Sequence, residues 1–326
     1  MLVLSRTEVE RLIDPDRLRE AVGNAMADLS AGRSSMPPRI AAMVPERDGL
    51  LAAMPAYLPS SRALTTKLVS LFPKNTDRPT HQAVIVVFDA EYGTPLALID
   101  GEAITAARTA AASALATDFL ARRDSERLVV IGTGVQARAH LRAVSRVRRF
   151  RSICVAGRDA AKAKALAKEL GGRDLGEVRA YEQIEQAVGE ADVVCACTHS
   201  PDPVIRREWL RPGTHVNSVG YNTAGREVDG ATFRDALVVV ESRTATLAPP
   251  PAGSNDIAMA IAEGAMTRDH VHAELGELVS GTRPGRTDRD QITLYKSVGV
   301  AVQDAAAAAL VLDAARAAGM GRTVDL

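Results

Sequence analysis

Hydrophobic residues follow two different patterns along this chain, and the pattern changes near residue 121. The later part contains short apolar runs without alternation, at 128–131, 152–156, 192–197, 215–219 and 237–240. Such runs are typical of parallel strands that are buried on both faces. Segments with helical spacing, 160–170 and 181–188 among them, lie between the runs. Alternation of this kind predicts an α/β domain with a Rossmann-type doubly wound parallel sheet.

The earlier part predicts a different, α+β arrangement. Ser5 and Glu8 have capping-box spacing, and Asp14 and Pro15 mark the start of a second helix over 16–29. Extended segments follow without intervening helices, at 50–53, 64–72, 83–89 and 95–100, the last two joined by a hairpin at 90–93. An Ala- and Thr-rich helix is then predicted over 102–120.

These patterns divide the chain into two domains. The charged connector at 121–127 marks the entry to the doubly wound domain, which we expect to span 121–296. An Ala-rich helix is predicted from residue 300 to about 318, ending at Gly319. We expect it to pack on the first domain, which would then be discontinuous and consist of 1–120 and 297–326.

Composition limits the classes of function. Of 326 residues, 40 are basic and 40 acidic, so the overall charge gives no reason to expect a nucleic-acid or membrane partner. Cys154, Cys195 and Cys197 all fall in predicted buried strands, which suits small core residues in a reducing compartment. No metal site is predicted, since Cys195 and Cys197 lack further ligands nearby. We therefore expect a cytoplasmic protein.

The first strand of the doubly wound domain leads into a glycine-rich turn. Gly132, Gly134 and Ala137 form a G-x-G-x-x-A pattern at the start of a predicted helix. Glycines there let the backbone approach a dinucleotide pyrophosphate, and the helix N-terminus carries matching positive partial charge. The pattern alone is weak, because a strand-to-helix turn with two glycines can also bind nothing.

The end of the second predicted strand bears on the choice of dinucleotide. NAD sites usually place an acidic residue there to bind the ribose hydroxyls, whereas an Arg accommodates a 2′-phosphate. Here Gly157 stands at the acidic position and Arg158 follows it, which favours NADP(H). NAD(H) stays possible if Asp159 takes the acidic role, and Arg158 is otherwise a solvated helix-start residue.

Two cations lie in otherwise uncharged segments of the first domain. Lys67 shares a strand face with Thr65 and Val69. If that face is buried, an unpaired ammonium would be costly, so a bound anion would explain it; an exposed face would need no anion. Arg108 is the only cation of the 102–120 helix and suits a bidentate grip on a carboxylate, although a surface position is equally compatible.

Several motifs carry a family resemblance in the same order along nearly the whole chain. They are 65–69 (TTKLV), 81–83 (HQA), 104–111 (ITAARTAA), 132–137 (GTGVQA), 217–220 (NSVG), 273–277 (AELGE) and 296–299 (KSVG). Together they resemble the ornithine cyclodeaminase/μ-crystallin family. The resemblance implies a homodimer formed through the first domain, a nicotinamide cofactor, and an α-amino or α-imino acid bound between the domains.

The resemblance also assigns roles to individual residues. Lys67 and Arg108 match carboxylate ligands of the substrate, with Arg39 and Val298 as further substrate-binding positions. Cofactor-binding positions come from two sources. The resemblance gives Thr76, Thr109, Val135, Gln136, Thr198, Val219, Gly220 and Ser297, and the glycine turn and the end of the second predicted strand add Gly132, Gly134 and Arg158.

Two departures from the family pattern disfavour cyclodeamination. True cyclodeaminases resemble one another in a catalytic Asp after the Val-Gly pair, where this chain has Tyr221 and Asn222, and an amide cannot shuttle protons. They also carry a Glu shortly before the Met-Pro step, whereas 51–55 here reads LAAMP. The chain therefore looks more similar to the ketimine reductases and amino-acid dehydrogenases.

These departures predict NAD(P)H-dependent reduction of an α-imino acid to an L-amino acid, or the reverse oxidative deamination. Lys67 or a water held by Asn222 would supply any proton that the reaction requires. Three alternatives stay open: an ornithine or lysine cyclodeaminase, an imine-forming amino-acid synthase, and a non-enzymatic NADP(H)-dependent binding protein for small ligands.

Overall fold

The computed structural model describes residues 1–172, 175–222 and 224–325. The chain forms two compact units, one of residues 1–108 and 299–326 and the other of residues 109–298. The division into functional domains at residues 120 and 297 stays a prediction. No helix among the described residues is both long and apolar enough to cross a membrane.

Strands and helices follow one another along the chain in this order. Up to residue 120 they are β1 (Leu2–Leu4), α1 (Arg6–Leu12), α2 (Pro15–Ser30), β2 (Ile40–Val44), β3 (Gly49–Leu58), β4 (Ala63–Leu71), β5 (His81–Phe88), β6 (Pro95–Asp100) and α3 (Gly101–Leu120). From residue 127 they are β7 (Arg127–Ile131), α4 (Val135–Val144), β8 (Ser152–Ala156), α5 (Ala160–Leu170), β9 (Val178–Tyr181), α6 (Ile184–Glu190), β10 (Val193–Ala196), β11 (His215–Ser218), α7 (Gly230–Asp235), β12 (Leu237–Val240), α8 (Arg243–Thr246), α9 (Asn255–Ala262), β13 (Val271–Glu274), α10 (Leu275–Val279), β14 (Thr293–Lys296), α11 (Ala301–Ala318) and β15 (Arg322–Thr323).

The first unit is built on a mixed sheet in the order β15-β1-β6-β5-β4-β3-β2 over the described residues. β2 to β6 pair antiparallel, and β1 pairs parallel with β6. Successive residues of β4 alternate between buried and half-buried, with Thr65, Lys67 and Val69 on the buried face. α11 packs against β3 and β4, so the predicted return of the last helix to this part of the chain is observed. It ends at Gly319, whose φ of +61° suits glycine.

The second unit is a parallel sheet in the order β13-β12-β14-β11-β10-β7-β8-β9 among the described strands. Its strands are buried on both faces because side chains alternate between two apolar clusters. Val129, Val194 and Val216 belong to one cluster, and Val130 and Val193 to the other. Coverage of both faces is what the uninterrupted apolar runs predict. The predicted Rossmann-type fold is thus confirmed.

Several elements differ from the predictions. The expected helix over 181–188 is wrong in its first turn, because Val178–Tyr181 pairs with β8 as an edge strand and the helix starts only at Ile184. β13, β14, β2 and the short terminal strands were not predicted, since two to five residues give too little periodicity. The segment predicted as 50–53 continues to Leu58, where Pro55 is tolerated in the strand.

Candidate active site

The glycine turn after β7 has the shape of a phosphate cradle. Gly132 adopts a φ of +119°, and a Cβ there would lie 2.5 Å from the carbonyl oxygen of Cys197. A Cβ at Gly134, the N-cap of α4, would meet no atom within 4 Å. The first amides of a helix lack partners within the helix and suit an anion. The turn is therefore tight on its inner side and open at the helix start.

Gln136 adds a second indication that the turn holds a ligand. Its side-chain Oε1 is buried and accepts no hydrogen bond from any described residue. Its neighbour Val135 is 52% exposed although it is apolar. Buried polar atoms normally have a partner, so these two residues fit contact with a bound dinucleotide. Ala137, fully buried, lets α4 pack closely on the sheet.

At the end of β8, the cation and the carboxylate have different surroundings. Gly157 is buried and Arg158 is exposed. Asp159 is the N-cap of α5, and its carboxylate accepts a hydrogen bond of 3.1 Å from the Lys162 backbone. That bond is the main cause that lowers the pKa of Asp159. The carboxylate is thus engaged in capping, while the Arg158 side chain faces solvent.

Further predicted positions lie at the carboxyl ends of the central strands. Thr198 follows β10, Val219 and Gly220 follow β11, and Ser297 and Val298 follow β14. Ligands bind at this edge in doubly wound sheets. Two predicted cofactor-binding residues lie elsewhere: Thr109 is buried on α3, and Thr76 is exposed in the connection between β4 and β5.

A buried carboxylate fixes the segment after β14. Glu241 Oε1 accepts hydrogen bonds from Tyr295 Oη at 3.2 Å and Ser297 Oγ at 3.0 Å, and its Oε2 accepts from the Val298 amide at 2.8 Å. Glu241 therefore holds Ser297 and Val298 in position, although it was not predicted from the sequence. Glu241 directly follows an apolar run, which is the one local signal it offers.

Asn222 is committed to its own loop. Its Nδ2 donates to the His199 carbonyl at 2.7 Å, and its Oδ1 accepts from the Ala224 amide at 2.8 Å. Asn255 Nδ2 donates to the Asn222 carbonyl at 3.2 Å. The side chain thus bonds to His199 and Ala224, while one of its two amide hydrogens and one of the two lone pairs of Oδ1 are not used in these bonds.

In the first unit, Lys67 and Arg108 share one carboxylate. Lys67 Nζ lies 2.8 Å from Asp304 Oδ2, and Arg108 Nε lies 3.0 Å from Asp304 Oδ1. Arg108 Nη1 also donates to Gln303 Oε1 at 2.8 Å. Both cations are almost fully buried, at 2% and 4% exposure. The premise that Lys67 is unpaired is wrong, since Asp304 on α11 is its internal counter-ion; the binding of a substrate carboxylate by Lys67 stays a prediction.

Arg39 completes what we call the cationic cluster, Arg39, Lys67, Arg108 and Asp304. Arg39 Nη2 donates to the Gly299 carbonyl at 2.8 Å. Gly299 has a φ of +76°, and a Cβ there would lie 2.8 Å from Arg108 Nη2. Glycine at this position therefore makes room for the guanidinium while its carbonyl holds the second Arg.

The cluster has an excess of positive charge. Burial lowers the pKa of Lys67 to about 8; Asp304 opposes this shift, and Arg108 and Arg39 add to it. Burial disfavours the charged form of Asp304 as well, yet Arg108 and Lys67 hold its pKa below the ordinary value. Burial and the same two cations lower the pKa of His81 to about 4, so His81 is neutral. At neutral pH the cluster thus carries three positive charges and one negative charge.

Clusters of metal-binding side chains are absent from the part of the chain that the structure describes. No group of three or more His, Cys, Asp or Glu side chains there is arranged to hold a metal ion. Cys195 is a buried free thiol, and burial raises its pKa to about 12. It is thus an inert core residue.

Known proteins resemble this chain over its whole length. Ketimine reductase mu-crystallin from Macropus fuliginosus is 36% identical over 319 residues, which cover 95% of this chain and 96% of that protein. The structure of Thermococcus litoralis Delta(1)-pyrroline-2-carboxylate reductase, in complex with NADH and L-proline, matches with a TM-score of 0.94 and 39% identity over 99% of this chain and all of that chain. An archaeal alanine dehydrogenase dimer with bound NAD matches with a TM-score of 0.91 and 31% identity over all of this chain and 99% of that chain.

A family model agrees with these relatives. The model for the ornithine cyclodeaminase/mu-crystallin family matches residues 1–319. The match includes the glycine turn, the strand that carries Lys67 and the helix that carries Asp304. This chain belongs to the ornithine cyclodeaminase/mu-crystallin family.

Proposed function

We propose that this protein is an NAD(P)H-dependent imine reductase that converts a small α-imino acid into an L-amino acid, and that also runs the reverse oxidation. The cationic cluster is the observation that carries the proposal, because its excess positive charge suits a substrate carboxylate. The relatives named ketimine reductase and pyrroline-2-carboxylate reductase support this class of reaction. The complex of one relative with L-proline favours a small or cyclic substrate.

Two cations of the cluster keep donors for the substrate carboxylate. Lys67 Nζ has three N–H groups, and its partners in the described part of the chain are Asp304 and Thr105. Arg108 uses Nε and Nη1 for Asp304 and Gln303 in the described part of the chain, and we expect its Nη2 group to bind the ligand. A carboxylate held by two cations keeps the C=N carbon in one position, and such positioning contributes several kcal/mol to catalysis.

The residues of the glycine turn fit a nicotinamide dinucleotide. Gly134 and the first amides of α4 would hold its pyrophosphate, and Gln136 would use its buried, unpaired Oε1. When bound in its reduced form, the cofactor supplies the hydride. We propose NADP(H) as the preferred form, with NAD(H) also accepted, because Arg158 is exposed at the ribose position and Asp159 is engaged as a helix cap.

Lys67 is the group best suited to move a proton in this reaction. A protonated imine already carries the proton that its nitrogen needs when hydride arrives. For an unprotonated imine, the Lys67 ammonium can donate a proton because its pKa of about 8 lies near neutrality. We assign Asn222 to holding its loop, since its amide is bonded there on both sides.

We also propose a homodimer formed through the first unit. β2 is an edge strand of the sheet, and its apolar Ile40 and Met43 are 71% and 59% exposed. Leu51, on the neighbouring strand, is 49% exposed. Exposed apolar residues grouped at an unpaired sheet edge form a surface on which another chain can pair. Light scattering should give twice the mass of the chain, and Ile40→Lys should shift it towards the monomer.

One assay tests the proposed activity. Purified protein is mixed with NADPH or NADH and cyclic five- or six-membered ketimine carboxylates, or with small 2-oxo acids together with ammonia or methylamine. With an imine substrate, we expect the absorbance of the reduced cofactor at ~340 nm to fall and the L-amino acid to form. Ammonia release from ornithine without net oxidation of the cofactor would instead establish a cyclodeaminase. Cofactor binding without turnover of any imine would establish a binding protein.

A further inference from the structure

The carboxylate of Glu227 joins the ends of two neighbouring parallel strands. Its Oε1 accepts hydrogen bonds from the amide and the hydroxyl of Thr198, after β10, at 2.7 and 2.8 Å. Its Oε2 accepts from the Gly220 amide at 2.8 Å and from Ser218 Oγ at 3.1 Å, both at the end of β11. Glu227 is 2% exposed and has no part in the mechanism proposed above.

The four donors favour the charged form of this carboxylate. Thr198 Oγ1 accepts from the Ser200 amide, and Ser218 Oγ accepts from Lys296 Nζ, so both hydroxyl hydrogens are directed to Glu227. Burial and the nearby Asp256 carboxylate raise the pKa of Glu227, while Lys296 and the Thr198 donors oppose that shift. Since every partner donates, a proton on Glu227 would face a donor, so these hydrogen bonds favour the ionised form.

Charge around Glu227 does not balance. Asp256 is 2% exposed, its Oδ1 accepts from the Glu227 amide at 2.9 Å, and its Oδ2 lies 3.1 Å from Lys296 Nζ. Lys296 is 1% exposed and donates to the Gly220 carbonyl at 2.9 Å. Glu227, Asp256 and Lys296, which we call the Glu227 charge cluster, therefore bury two negative charges and one positive charge.

The position of this cluster in the sheet indicates which part of the cofactor its excess charge would act on. In a doubly wound fold the first three strands, here β7 to β9, hold one mononucleotide half, and the next strands hold the other. The glycine turn and Arg158 mark the first half as the adenosine side. Thr198, Val219 and Gly220 belong to the second half, which takes the nicotinamide. The net negative charge thus lies directly behind the loops of the nicotinamide side.

We propose that the Glu227 charge cluster favours the oxidised, cationic form of the nicotinamide, so that Glu227 is a positioning residue whose charge promotes hydride departure. This inference rests on the proposed function, because it requires the nicotinamide at Thr198 and Gly220. Reduction moves a hydride with its electron pair to the C=N carbon, the π pair of the C=N bond goes to nitrogen, and the ring becomes positive. Buried negative charge stabilises that positive charge more than solvated charge would.

The test compares affinities for the two redox forms. Dissociation constants for reduced and oxidised cofactor are measured by fluorescence titration and calorimetry on the full-length protein and on Glu227→Gln. We expect the ratio of the oxidised to the reduced Kd to rise about tenfold, which corresponds to about 1.4 kcal/mol. Lys296→Met removes the positive charge instead and should lower the same ratio by a similar factor. If the ratio of the two dissociation constants rises in Glu227→Gln and falls in Lys296→Met, the charge of the cluster is the cause.

Other outcomes separate this inference from the proposed function. If Glu227→Gln weakens both redox forms equally, or Lys296→Met leaves the ratio unchanged, Glu227 has a structural role alone and the inference is overturned. If Glu227→Gln does not fold, Asp256→Asn takes its place, because it removes one negative charge and the described contacts of Asp256 do not include Thr198 or Gly220. The ratio of the oxidised to the reduced Kd should then rise less than in Glu227→Gln. Wild-type protein that binds neither redox form would overturn the proposed function itself.

Discussion

Lys67 Nζ and Asp304 Oδ2 lie 2.8 Å apart, and the two side chains are 3% and 0% exposed. The ammonium on β4 thus has its counter-ion on α11, at the other end of the chain. This carboxylate also binds Arg108, so a single acid neutralises part of the charge of two buried cations. The charge that remains is what a substrate carboxylate would bind.

Asp304→Asn should affect both stability and pH dependence. Loss of one partner leaves buried cations without a carboxylate, which we expect to lower the free energy of unfolding by about 3–5 kcal/mol. Asp304 also raises the pKa of Lys67, so the alkaline limb of kcat/KM should move to lower pH. Chemical denaturation and a pH profile measure the two effects. The exposed Asp313 on the same helix provides the control, since Asp313→Asn should change stability by less than about 0.5 kcal/mol.

Substrate affinity should depend on the charge of Lys67. The ammonium is present below its pKa of about 8 and is lost as the pH rises, so KM for the imino acid should increase through this range. Lys67→Met should abolish turnover and leave cofactor binding intact, as shown by fluorescence titration. Lys168→Met, at an exposed position of α5, should behave like wild type. Full activity of Lys67→Met would remove Lys67 from the site.

Gly299→Ala should weaken substrate binding through Arg108. The added Cβ would lie 2.8 Å from Arg108 Nη2, and the φ of +76° also disfavours Ala. We expect a loss of about 1–2 kcal/mol in stability from the backbone and a rise of about tenfold in KM from the displaced guanidinium. Gly319→Ala is the matched control, because its φ is +61° and a Cβ there would meet nothing within 4 Å. An equal KM in the two variants would contradict this account.

Arg158→Asp should change the cofactor preference. The exposed guanidinium would bind a 2′-phosphate, and a carboxylate in its place would repel the phosphate. We expect Kd for NADPH to rise at least about tenfold while Kd for NADH changes little. Arg149→Asp, at another exposed position before β8, controls for the change in total charge. If the ratio of the two constants stays the same, the NADP(H) preference does not depend on Arg158.

Local sequence predicted those parts of the structure that local physics determines. Five buried strands of the second unit (β7, β8, β10, β11 and β12), the glycine turn after β7 and the end of α11 at Gly319 each follow from a few adjacent residues. The buried face of β4 followed from alternation alone, but its neutralisation by Asp304 did not, since the partner lies far along the chain. One signal was present, because Gln303 and Asp304 are the only polar residues in an otherwise apolar stretch from 298 to 312. Glu227 had no comparable signal, because tertiary structure alone brings Thr198 and Gly220 to it.

The order of strands in the second sheet has a consequence for biosynthesis. β14 is the last of its strands along the chain, yet it pairs with β11 on one side and β12 on the other. A ribosome that has made all preceding strands therefore carries a nascent domain with a gap in the middle of its sheet. Until Lys296 leaves the exit tunnel, β11 and β12 have open edges, on which other chains could pair. The sheet can therefore be completed only once the segment up to Lys296 has been made, and we expect a chain that ends before β14 to leave β11 and β12 without their shared central partner.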